Sequence, residues 1–181
     1  MKKALLTAFS LATFAAGAQD LTLPQKIGIP LKDGAVVYEL VDTVKASQAA
    51  IYTALKAATT ELFSASGAYI ISASPSEATI LGKSNIPVTY KLPLSTIKGR
   101  AIFNYALQAK EGRFRILLTA WEGTMAEYAQ KGTPVLEVYT TGLSASQKYR
   151  ERYLTTFHET VQAALLAFSA NIKKQLTSLD W

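Results

Sequence analysis

The sequence predicts a small α+β domain, and three observations carry the prediction. Two segments repeat apolar residues at helical spacing, several others alternate apolar and polar residues with period two, and clusters of Gly, Pro, Asp and Ser separate them. The chain has 181 residues and no cysteine. About 160 residues beyond an N-terminal leader suffice for one core without disulfide or metal support. The absence of cysteine also excludes thiol nucleophiles, Cys-ligated metals and Cys lipidation at the leader.

Residues 1–18, MKKALLTAFSLATFAAGA, combine Lys2 and Lys3, an apolar run from Ala4 to Ala16 and the small-residue pattern Ala16-Gly17-Ala18. This is the composition of a secretory signal peptide cleaved before Gln19, which predicts an exported protein of the periplasm or cell envelope. The apolar run falls short of the roughly 20 residues that cross a bilayer, so the expectation is a soluble mature chain and not an integral membrane protein. Cleavage leaves seventeen basic against thirteen acidic residues, a mild net charge of +4.

Residues 19–33, with Pro24, Pro30 and Gly28 and no periodicity, read as an extended leader, and residues 34–181 as a single domain. After the Asp33-Gly34 turn, Ala35 to Asp42 (AVVYELVD) has the β-branched and aromatic content of a strand. Ser47 is placed to cap a helix whose apolar positions are Ile51, Leu55, Ala58, Leu62 and Phe63, with Gly67 as its stop. That stripe predicts packing on a sheet. Ala68 to Pro75 and the segment from Glu77 read as two strands about the Pro75-Ser76 turn. Because Pro87 and Pro93 follow, residues 85–98 are expected to form a long loop or edge.

The segment from Arg100 to Trp121 predicts a β-hairpin. Ala101, Phe103, Tyr105 and Leu107 alternate with less apolar residues before Lys110-Glu111-Gly112, and Phe114, Ile116, Leu118 and Ala120 alternate with Arg113, Arg115, Leu117, Thr119 and Trp121 after it. One hairpin face is then core, and the other displays Lys110, Arg113, Arg115, Leu117 and Trp121 as a possible contact surface, joined by Lys98 and Arg100. Glu111 and Glu122 dilute that charge, and polar hairpin tips are commonly just solvated. Residues 123–143 read as an excursion or mobile loop with a short strand at Val135 to Tyr139. From 146 to 177, Leu154, Phe157, Val161, Leu165, Phe168, Ile172 and Leu176 recur at steps of three and four, one stripe on a long helix that needs the sheet as partner.

Catalytic chemistry finds little support. His158 is the only histidine, so no two-His metal site can form within one chain. The His158-Glu159 pair has Gln162 where a metalloprotease motif needs its second histidine, and an exposed helix histidine is the simpler expectation. Glu39 and Asp42, three apart on a strand, point to opposite faces. No glycine-rich phosphate loop occurs, and no catalytic, cofactor or metal residues are assigned.

Taken in order, DGAVVYELVDTVKASQAAIYTAL from Asp33, ILGKSNI from Ile80, IFNYALQAKEGRFRILLTAWE from Ile102 and the helix KYRERYLTTFHETVQAALLAF from Lys148 resemble a domain of unknown function with a TBP-like fold found in envelope proteins of Bacteroidota. The carrying features are Ile51-Tyr52 in the first helix and the turn Lys110-Glu111-Gly112-Arg113-Phe114-Arg115, where Glu111 replaces the usual Asp. The resemblance implies a β-α-β-β-β-β-α layer with two helices on one face of an antiparallel sheet, and no assigned activity.

The expected function is a non-catalytic envelope binding or assembly module, its partner an envelope protein and not a nucleic acid, since fold does not determine function. The alternative is a carrier of a small apolar molecule between terminal helix and sheet, lined by Phe103, Tyr105, Phe157, Val161 and Phe168. An enzyme would need Tyr38, Glu39, His158 and Glu159 to converge in one cleft.

Overall fold

Alternation and turn residues determine where each strand begins and ends. The computed structural model describes residues 22–63, 69–91, 96–125, 133–134 and 147–179. The signal segment, Gly67 and Val135 to Tyr139 lie outside the described residues.

Residues 22–32, read from sequence as extended, are folded. Helix α1 (Leu23–Ile27) starts with Pro24 in its first turn, and the Thr22 N–H donates to Gln25 Oε1 at 2.8 Å. Gly28 closes it with φ 89°, a conformation that favours glycine. Strands β1 (Leu31–Lys32) and β2 (Ala35–Val36) form a small hairpin about Asp33-Gly34. The predicted strand over Ala35 to Asp42 is thus interrupted at Val37, and the main sheet begins with β3 (Tyr38–Thr43).

Helix α2 (Gln48–Phe63) follows. Ser47 caps it as expected: its Oγ accepts the Ala50 N–H at 3.3 Å. Strands β4 (Tyr69–Ser74), β5 (Thr79–Lys91), β6 (Thr96–Lys110) and β7 (Arg113–Met125) then run antiparallel, and the short β8 (Thr133–Pro134) pairs with β7 at Glu122 and Gly123. The order across the sheet is β3-β7-β6-β5-β4. Helix α3 (Gln147–Leu179) completes the described chain.

The expected loop over 85–98 is largely strand: β5 continues to Lys91 and stays in register with β6 as far as Lys91 opposite Thr96. Ser84, Val88 and Tyr90 are buried at alternate positions, and the Tyr90 ring stacks on Tyr153 of α3 with centroids 3.8 Å apart. Burial of this face outweighs the proline. β4 pairs with β5 only as far as Lys83, so Pro87 stands on an edge, where a missing N–H need not break a ladder.

Both long helices pack on one face of the sheet, and α2 also packs on α3. All seven stripe residues of α3, from Leu154 to Leu176, are buried, as are Ile51, Leu55 and Ala58 of α2. The opposite sheet face carries no helix among the described residues. Among them, too, no helix is long and apolar enough to cross a membrane.

Candidate functional site

The β6–β7 hairpin presents the open face. Lys110 and Arg113 stand opposite each other across the Glu111-Gly112 turn, where Gly112 has φ 71°. Arg115 lies one pair further, opposite Gln108 on β6 and Val41 on β3, and Leu117 opposite Ala106 and Glu39. Four of the five expected contact residues therefore share one face.

Trp121 does not. It is 5% exposed and sits on the helix-covered face, with Phe103 at a ring distance of 4.7 Å and Phe157 at 5.3 Å. The cause is a β-bulge: the register moves from Asn104 opposite Thr119 to Ile102 opposite Glu122, so Phe103 faces two residues of β7. Ala120 takes the extra position with φ 51° and is exposed, which returns Trp121 to the core side. A strict period-two reading cannot register an inserted residue.

Lys98 and Arg100 share the open face but stand at the far end of β6, about 40 Å along the strand from Lys110 at 3.3 Å per residue. The positive cluster is therefore Lys110, Arg113 and Arg115. With Glu39, Val41 and Gln108 these residues line a shallow depression of about 370 Å³. Arg115 Nε lies 2.8 Å from Glu39 Oε1, which leaves Lys110 and Arg113 as its excess charge.

The turn itself is docked. Glu111 Oε2 accepts the Gln48 N–H at 2.9 Å at the start of α2, where a carboxylate also meets the positive end of the helix dipole. The Gly112 carbonyl accepts from Val44 N and the Gly112 N–H donates to the Ala46 carbonyl. Glu111, read as diluting a charged patch, caps a helix 63 residues away in sequence.

Next to the cations the open face is apolar. Leu117, Ala106 and Leu81 form one cross-strand row over β7, β6 and β5, with Leu81 42% and Val41 56% exposed. Tyr69, 56% exposed, stands opposite Lys83 at the far edge. Lys83 pairs with Glu122 at 3.4 Å on the same face.

On the helix-covered face the five residues expected to line a carrier cavity, Phe103, Tyr105, Phe157, Val161 and Phe168, are all buried core. Trp121 fills the space between Phe103 and Phe157.

His158, expected to be an exposed helix residue, is half-buried. Its Nδ1 lies 2.8 Å from Tyr38 Oη, and burial pushes the Tyr38 phenol well above its ordinary value and lowers the His158 pKa. Glu39 turns away from Tyr38 toward Arg115, yet it still borders the groove that Tyr38 and His158 line, whereas Glu159 is not among the residues lining that groove. Asp42, on the helix side as the spacing from Glu39 requires, accepts from Ser169 Oγ and Lys173 Nζ, both at 2.7 Å. Hydrogen bonds from Lys173 and Ser169 hold its carboxyl below the usual carboxylate value. Among the described residues no group of three metal-ligating side chains occurs.

No family model matches this sequence, and no curated protein does. Solved structures of similar fold include two proteins from related bacteria. A DUF4468 family protein from Bacteroides ovatus superposes with a TM-score of 0.53 at 18% identity, over 77% of this chain and 90% of its own. A TBP-like protein from Parabacteroides distasonis superposes with a TM-score of 0.53 at 13% identity, over 80% of this chain and 97% of its own. The α+β fold is TBP-like, as the resemblance implied, and identities this low carry the fold alone.

Proposed function

We propose that this protein is a non-catalytic binding or assembly module of the cell envelope, and that it engages an envelope protein through the open face of its sheet. The observation that carries the reading is the cross-strand row Leu117, Ala106 and Leu81, half-buried at its first two members and exposed at Leu81, beside the cations Lys110 and Arg113 on a face that no described helix covers. An apolar strip with a charged border is the usual anatomy of a protein contact, and the excess positive charge selects an acidic partner surface. The composition of residues 1–18 supports export.

A photo-crosslinking residue at Leu81, introduced in the native host, should capture a defined protein, and one at the exposed Lys174 of α3 should not. Capture should fail when Lys110→Glu and Arg113→Glu are combined. Equal capture from Lys174, or capture indifferent to the charge reversal, would remove the open face as the contact surface. N-terminal sequencing of the protein from an envelope fraction should begin at Gln19; an intact Met1 in the cytoplasmic fraction would overturn export.

A further inference from the structure

A groove of about 620 Å³ lies away from that surface, where the turn and strand after α1 (Gly28 to Lys32) and the residues from Val37 to Leu40 meet the middle of α3, more than a hundred residues further along the chain. One side is apolar. Leu40 of β3 is partly buried, Leu165 is nearly closed off, and Leu166 is 66% exposed, the most exposed large apolar residue among those described. Helix packing does not require Leu166, because the core stripe of α3 passes through Leu165 and Phe168.

The polar side is built around the Tyr38–His158 pair. The 2.8 Å contact between Tyr38 Oη and His158 Nδ1 fits either imidazole tautomer; with the protonated phenol as donor, the neutral ring carries its own proton on Nε2 and can offer it to a ligand. Nε2 has no protein partner among the described residues, and it faces Gly28, where even an added Cβ would stand 3.8 Å away. Lys32 borders the same groove and supplies a positive charge. Glu39, also at its border, is held by Arg115 and does not oppose an anion there.

We infer that this groove binds an amphiphilic carboxylate, with the apolar chain along Leu40, Leu165 and Leu166 and the carboxylate accepting from His158 Nε2–H beside Lys32. One lysine and one imidazole match a single negative charge. A phosphate dianion would call for a richer donor set, such as a bidentate arginine, and none lines the groove. The site is independent of the protein contact proposed above, since the two lie on different faces and share only Glu39 at their borders.

His158 is the sole histidine, so a tag-free mature protein reports the site through one set of imidazole NMR signals. Titration with dodecanoate should shift these signals saturably below about 1 mM, an affinity of roughly 4 kcal/mol or better. Dodecanol should bind about tenfold more weakly for want of the charged hydrogen bond. By calorimetry, Leu166→Glu should weaken dodecanoate about tenfold through loss of apolar contact and gain of like charge. His158→Gln, whose amide oxygen can still accept from Tyr38, should lower carboxylate affinity while leaving the alcohol unchanged. Unmoved His158 signals below 1 mM, equal affinity for acid and alcohol, or a Leu166→Glu variant that folds and binds as the parent does would each overturn the inference.

Discussion

The two faces of the β6–β7 hairpin are made by the same two strands and follow opposite rules. On the helix side, Phe103, Trp121 and Phe157 interlock with Tyr38, and Trp121 and Phe157 meet at right angles. On the other side, charged pairs such as Arg115–Glu39 alternate with partly exposed apolar residues. Close-packed rings lose contact energy with every atom removed, whereas solvated pairs exchange one set of polar partners for water. The helix side therefore carries stability, and the open side is free to serve contact.

The sharpest way to break this contrast is to truncate one residue on each face. Phe157→Ala, at a position with no exposure, should cost about 3–5 kcal/mol in urea unfolding, whereas Arg113→Ala should stay within about 0.5 kcal/mol. Comparable losses would mean that the open face is structural after all. Gly82→Ala should come next, at about 2–3 kcal/mol, because a Cβ there collides with the Tyr105 ring and hydroxyl and comes within 2.5 Å of the Tyr69 carbonyl oxygen. A thermal melt unchanged by that substitution would show that β4 and β5 can separate freely.

Ala120→Val tests the bulge that moves Trp121 from one face to the other. A β-branched residue at φ 51° should cost about 1–2 kcal/mol although the position is exposed, and Trp121 fluorescence should shift red as the ring loosens. Loss within about 0.3 kcal/mol and an unmoved spectrum would contradict the left-handed position.

The smallest expected effect is acid sensitivity. His158, with its pKa lowered in the fold, binds its proton more readily when unfolded, so stability should begin to fall below about pH 6.5 and level off once the folded imidazole titrates. Asp42, also lowered, contributes stability that is present above its unfolded value near pH 4 and lost as pH falls through the folded value. His158→Gln should flatten only the upper limb of a pH–stability curve, and Asp42→Asn only the lower. A curve unchanged in both variants would show that neither contact differs between folded and unfolded chains.

Particular residues show which parts of the architecture could be read in advance. The helix cap at Ser47 and the buried stripe of α3 follow from spacing, as does the turn between Lys110 and Arg113. Each depends on neighbours within a turn or a strand pair. Alternation at Val88 and Tyr90 was equally legible, yet Pro87 obscured it, since whether a strand has an open edge depends on where β4 stops. Of the expected contact set, Lys110, Arg113, Arg115 and Leu117 share a face, and Trp121 was lost to one extra residue at Ala120.

The sequence by itself determined the α+β class, the order of the main elements and the buried side of the β6–β7 hairpin as far as the bulge at Ala120, because periodicity is a local property. Tertiary structure alone decided that Glu111 caps α2, that Asp42 meets Ser169 and Lys173, and that His158 answers to Tyr38 across 120 residues. These are hydrogen bonds between distant segments. Their partners are chosen by how helices and sheet pack, and no spacing along the chain encodes that choice.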